Sequence, residues 1–125
     1  MSQSKSILLI DDDEMIHTFF KLMLTKEGYN LTIAGNRQLA IGLLDEMTPD
    51  LIIIDKNLGD EDGGLLCKDI KSQSGLSDTP VLLISGYPMS NDEYRSYLAD
   101  GFIGKPINMA NLKQDIKNIL GNTGD

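Results

Sequence analysis

Three short apolar runs, Ile7-Leu8-Leu9-Ile10, Leu51-Ile52-Ile53-Ile54 and Val81-Leu82-Leu83-Ile84, each end on a polar residue. Four consecutive apolar residues without alternation are the pattern of a parallel strand covered by helices on both faces. Asp11, Asp55 and Ser85 follow the three runs, and Lys105 follows a shorter one, Phe102-Ile103, within Gly104-Lys105-Pro106. In an open parallel α/β sheet the ligand crevice lies outside the carboxyl ends of the strands, so these four positions should converge. The first of them opens an acidic run, Asp11-Asp12-Asp13. A carboxylate cluster facing one lysine suits a divalent metal and a phosphoryl group.

The alternation of elements continues along the whole chain. Leu31-Thr32-Ile33-Ala34 and Phe102-Ile103 are shorter and more interrupted, as edge strands of the same sheet are. Between strands, Met15, Ile16, Phe19, Phe20 and Met23 recur at helical spacing, as do Ala40, Leu43, Leu44 and Met47, and Leu112, Ile116 and Ile119. Leu66 and Ile70 give a short third helix, and Tyr94, Tyr97 and Leu98 a weakly amphipathic fourth, starting at Ser90 or Asn91 and stopping at Asp100-Gly101. Gly28, Pro49, Gly63-Gly64, Gly75, Pro80 and Gly101 punctuate the boundaries. The expected fold is α/β, a (βα)5 three-layer sandwich.

The 125 residues, 41% hydrophobic, fit one domain spanning 1–125 with its core between about 5 and 120. No apolar run approaches the roughly 20 residues of a membrane span, and the start lacks the apolar region of a signal peptide, so the expected location is the cytoplasm with no membrane insertion. A net charge of −8 without a segregated basic patch argues against direct nucleic-acid binding and suits protein partners. Cys67, the lone cysteine, sits among apolar helix positions and reads as a core residue. His17 reads as a surface or packing residue, Asp13 as the cap of the first helix, and Asp60, Glu61 and Asp62 as a solvated loop.

Taken together, Ile7 to Asp13, Asp55-Lys56-Asn57-Leu58-Gly59-Asp60-Glu61-Asp62-Gly63-Gly64, Pro80 to Gly86 and Gly101-Phe102-Ile103-Gly104-Lys105-Pro106 resemble the receiver domain of two-component response regulators. The resemblance covers nearly the whole chain and implies the flavodoxin-like strand order 2-1-3-4-5. It implies Asp55 as phosphoacceptor for a histidine kinase or histidine phosphotransfer protein. Mg²⁺, for which Mn²⁺ could substitute, would be held by Asp11, Asp12, Asp55 and the backbone carbonyl of Asn57. Lys105 would neutralise a phosphoryl oxygen. Ser85 and Phe102 match the switch pair that reshapes the surface of the fourth helix, fifth strand and fifth helix for a downstream protein or effector domain. Asn57 and Tyr87 lie where receivers tune the lifetime of the aspartyl phosphate. Such a module assists its own phosphorylation and dephosphorylation and is not an enzyme acting on external substrates.

Departures and rivals remain at this level. Gly59 stands where many receivers carry proline, and Gly86-Tyr87-Pro88 leaves the start of the fourth helix open. Asp11-Asp12-Asp13 also contains the Asp-x-Asp spacing of haloacid-dehalogenase-type phosphatases, but Met15 follows where Thr or Val is expected and there is little room for a cap domain. A receiver-like binding module that is never phosphorylated is the second alternative. A flavin-binding relative is disfavoured because no Gly-rich phosphate loop follows the first strand.

Overall fold

The computed structural model describes residues 4–73 and 75–121. The two ends of the expected 1–125 domain, including the tail beyond Gly121, lie outside the described residues. The elements are β1 (Ser6–Ile10), α1 (Glu14–Lys26), β2 (Asn30–Ala34), α2 (Arg37–Leu44), β3 (Leu51–Asp55), β4 (Asn57–Leu58), β5 (Glu61–Asp62), α3 (Gly63–Lys71), β6 (Val81–Ser85), α4 (Asn91–Ser96), β7 (Gly101–Gly104) and α5 (Met109–Leu120). Five strands form one parallel sheet in the order β2-β1-β3-β6-β7. Counting those five alone, the order is the expected 2-1-3-4-5.

Period-two alternation divides the apolar runs between two cores. Ile7, Leu9 and Ile53 face Phe20 and Leu24 of α1 and Leu112 and Ile116 of α5. Leu8, Ile10, Ile52 and Ile54 face Ala40 of α2 and Leu66, Cys67 and Ile70 of α3. Both faces of the central strands are thus covered, which is why their sequences do not alternate with polar residues. Every residue of β3 and β6 is buried, whereas the edge strands β2 and β7 are buried only in part. Each fully buried Ile or Leu contributes about 1.5–3 kcal/mol. Among the described residues, no helix is long and apolar enough to cross a membrane.

Three local expectations are corrected. Asp60 to Asp62 is not simply a solvated loop: β4 and β5 pair as a two-stranded hairpin, and the Asp62 side chain caps α3 by accepting from the amides of Gly64 and Leu65. Helix α2 ends at Leu44, so Met47 lies beyond it. Helix α4 takes Ser90 as its cap and ends at Ser96, with Tyr97 as C-cap and Leu98 at φ 65°. The short length fits the composition, since none of its residues is buried.

Candidate active site

Each site residue is delivered by the strand before it. Asp11 follows β1, and its amide donates to the Ala34 carbonyl at 3.1 Å, so the strand pairing fixes where the carboxylate leaves the sheet. It is fully buried. One of its oxygens, Oδ1, accepts from the Asp13 amide at 2.8 Å, while Oδ2 has no hydrogen-bond partner. Asp13 caps α1 as expected, accepting from the Met15 amide, so the acidic run divides its labour between site and helix cap. Asp12 is exposed at the rim of the cleft.

Asp55 ends β3 and is 4% exposed. Its Oδ1 accepts from the Asn57 amide at 2.9 Å, and its Oδ2 accepts from Lys105 Nζ at 2.9 Å. Asp11, Asp12 and Asp55 each offer one oxygen such that all three lie within 4.8 Å of one another. A buried oxygen without a partner, on one of three clustered carboxylates, is a costly arrangement without a cation, and an oxygen-rich donor set of this kind suits Mg²⁺. Burial, with the Asp55 charge adding to it, pushes the Asp11 carboxyl up to about 6 against the Asp13 amide and Lys105. Burial works against the charged form of Lys105. The hydrogen bond and charge of Asp55, with Asp11 and Asp13 behind, outweigh it and hold the ammonium above its ordinary value.

The rest of the cleft shows what brings Lys105 and Ser85 to it. The Lys105 amide donates to the Ser85 carbonyl at 2.9 Å, and the Lys105–Pro106 peptide is cis. Ser85 is 4% exposed. Its hydroxyl donates to the Tyr87 carbonyl at 2.9 Å and accepts from the Tyr87 amide at 3.0 Å. Tyr87 itself is 72% exposed. Phe102 is half-buried in β7, its ring 6.0 Å from that of Tyr94 in a tilted pair. It lines an open cavity of about 280 Å³ together with Leu82, Asn91, Asp115 and Ile119.

The segment after Asp55 forms a hairpin in which Gly59 has a definite place. Gly59 turns the β4–β5 hairpin at φ 63°, and a Cβ there would lie 3.4 Å from Asp12 Oδ2. Proline, locked near −65°, has no access to that conformation, which accounts for the departure noted in the sequence. Sequence reasoning missed three contributors. His17 makes a ring-nitrogen contact with the Asp11 carbonyl. Gly63 lies against the Asp55 main chain. Asp62 pairs with Lys56 at 2.9 Å. Only the last had a legible signal, an Asp immediately before the first residues of a helix.

Residues 7–117 match the family model described as the response regulator receiver domain. The chain belongs to that family. It is similar to the polar-differentiation response regulator DivK of Brucella anthropi, 29% identical over 119 residues, with 94% of this chain and 97% of that protein covered. It is also similar to a histidine kinase, P4, of Formosa agariphila, 32% identical over 122 residues, where 96% of this chain spans only 9% of the kinase. A crystal structure of a putative response regulator from Chloroflexus aurantiacus aligns with a TM-score of 0.88 at 25% identity, covering 96% of this chain and 100% of that one. Receiver domains are signalling modules of two-component systems that work with histidine kinases and downstream effectors, and they are not conventional enzymes.

Proposed function

We propose that this receiver accepts a phosphoryl group on Asp55 from a histidine kinase or histidine phosphotransfer protein and thereby changes its partner-binding surface. The observation that carries the reading is the convergence of Asp11, Asp12 and Asp55 within 4.8 Å with Lys105 on the acceptor's Oδ2. Asp11, Asp12, Asp55 and the backbone carbonyl of Asn57 would hold Mg²⁺, or Mn²⁺ in its place. Bound there, such an ion would supply positive charge toward the phosphoryl oxygens during transfer.

The chain's own residues do the remainder. An Asp55 carboxylate oxygen forms the new bond to phosphorus as the bond to the donor's imidazole nitrogen breaks. The Asn57 amide holds Oδ1, which fixes the carboxylate plane. Lys105 exchanges its contact with Asp55 for a phosphoryl oxygen, remaining the positive charge of the site. Ser85 turns its hydroxyl from Tyr87 toward the phosphoryl group, and Phe102 moves inward into the space released, shifting the population of the α4–β7–α5 surface. Asn57 and Tyr87 set the lifetime of the product by limiting the approach of water. The bulk of Tyr87 lengthens it, so Tyr87→Ala and Tyr87→Glu lose the phosphoryl group faster.

The reading extends to a single domain over 1–125, a cytoplasmic location, protein rather than nucleic-acid partners, and no turnover of an external substrate. The net charge of −8 supports the choice of partners. The test is intact-protein mass after incubation with Mg²⁺ and acetyl phosphate. One added phosphoryl group that requires both Mg²⁺ and Asp55 supports the proposal. No adduct, with beryllofluoride binding also absent, favours a binding module that is never phosphorylated. Steady hydrolysis of a generic phosphomonoester favours the phosphatase alternative.

A further inference from the structure

Lys56, the residue after Asp55, reaches away from the acidic cleft. Its Nζ lies 2.9 Å from Asp62 Oδ2 and 5.1 Å from the centroid of the Tyr97 ring. Tyr97 is the C-cap of α4, and its ring is packed so closely on Gly64 that a Cβ there would come within 2.8 Å of it. The Lys56 carbonyl accepts from the Gly63 amide at 2.7 Å. One lysine thus touches the loop after the acceptor, the start of α3 and the end of α4.

Helix α4 needs such an anchor. It has six residues, none of them buried, and a segment with so little burial opens at low cost in free energy. Tyr94 ties one side of it to Phe102. Tyr97 is the corresponding tie on the side of α3, and the charge it rests on is that of Lys56. We propose that Lys56 is a positioning residue that couples the loop after Asp55 to the C-terminal end of α4, its ammonium held between the Asp62 carboxylate and the Tyr97 ring. A shift of the Asp55 loop carries the Lys56 main chain with it and changes the grip on Tyr97. This route is separate from Ser85 and Phe102, which act through β6 and β7. The inference rests on the acceptor role of Asp55 only for what moves the loop; the grip itself belongs to the unmodified protein.

The test is amide hydrogen exchange by NMR on the full chain. The amides of Tyr97, Leu98 and Ala99 donate to Tyr94 or Arg95 carbonyls and report directly on the end of α4. In unmodified protein, Lys56→Met should speed exchange at these three amides about threefold. Lys56→Arg should keep the wild-type rates, and the Ile53 amide in the central strand should be unchanged in both variants. Wild-type rates at 97–99 in Lys56→Met, or a rise matched at Ile53, would overturn the coupling. With acetyl phosphate and Mg²⁺, Lys56→Met should take the same adduct as wild type and show a smaller change at 97–99 on modification. An equal change in the two proteins, or none in either, would overturn it as well. A wild type that takes no adduct would sink the acceptor role of Asp55, and the comparison in unmodified protein would still decide whether Lys56 holds α4.

Discussion

A Cβ placed on Gly63 would lie 1.9 Å from the main-chain carbonyl oxygen of Asp55. Helix α3 therefore starts in contact with the residue at the centre of the site, and only a residue without a side chain permits it. The atom in the way is backbone, so no rotamer change relieves the clash. Gly63→Ala should cost about 3 kcal/mol in urea unfolding and lower the yield of Asp55 adduct. Gly64→Ala meets the Tyr97 ring instead, which can move, and should cost about 1 kcal/mol. Equal losses in the two variants would contradict the distinction.

Asp62 has two tasks that substitutions can separate. Burial pushes its carboxyl up, but the hydrogen bond from Lys56 and the amides of Gly64 and Leu65 outweigh this and hold it below its ordinary 3.8. A depressed acid contributes stability that is present above the unfolded value and is lost as pH falls through the folded one. Asp62→Ala, which loses the cap and the ion pair, should cost about 1–2 kcal/mol at neutral pH. Asp62→Asn keeps a capping oxygen and should cost less. The gap between wild type and Asp62→Asn should close as pH falls below 3.8, as followed by denaturation at a series of pH values.

Leu98 occupies the left-handed region at φ 65° while 45% exposed. An L side chain there costs roughly 1–2 kcal/mol, and the exposed half of the leucine contributes little burial in return. Leu98→Gly relieves that strain but loses the burial of the other half of the side chain and adds chain entropy to the unfolded state, so the three effects should nearly cancel and thermal unfolding should show a change of less than about 1 kcal/mol. A loss well beyond that would show that the Leu98 side chain packs better than its exposure indicates.

The buried oxygen of Asp11 without a partner gives a further expectation. Asp11→Asn removes one charge from three clustered carboxylates and adds donors that can reach them. It should raise metal-free stability by about 1 kcal/mol, and Mg²⁺ should no longer raise the unfolding temperature, as it should in wild type by linkage. A destabilised Asp11→Asn protein, or a Mg²⁺ effect equal to wild type, would contradict this.

Much of the architecture was legible because it depends on short-range rules. Four-residue apolar runs, too short for helices, read as strands covered on both faces, and the sheet order then carried Asp11, Asp55, Ser85 and Lys105 toward one cleft. Asp13 was readable as a helix cap for the same local reason, whereas the choice between Ser90 and Asn91 at the start of the fourth helix stayed open until the structure placed Ser90 there. The missing parts depend on three-dimensional closeness. Nothing in Gly63-Gly64 distinguishes a boundary glycine from one pressed against the Asp55 carbonyl or the Tyr97 ring. No spacing rule brings Lys56 to Tyr97, and no hydrophobic pattern marks a hairpin of two-residue strands at 57–62. The orientation of Ser85 toward Tyr87 is likewise a matter of rotamer, which sequence does not encode by itself.

The most direct test of the acceptor assignment is to phosphorylate the wild-type protein with acetyl phosphate and Mg²⁺, reduce it with borohydride and map the product by peptide mass spectrometry. Reduction converts an aspartyl phosphate to homoserine and leaves free carboxylates untouched. The account predicts homoserine at position 55 alone, dependent on Mg²⁺. Homoserine at another aspartate, or an unreduced Asp55 in protein that carries a phosphoryl group, would contradict it.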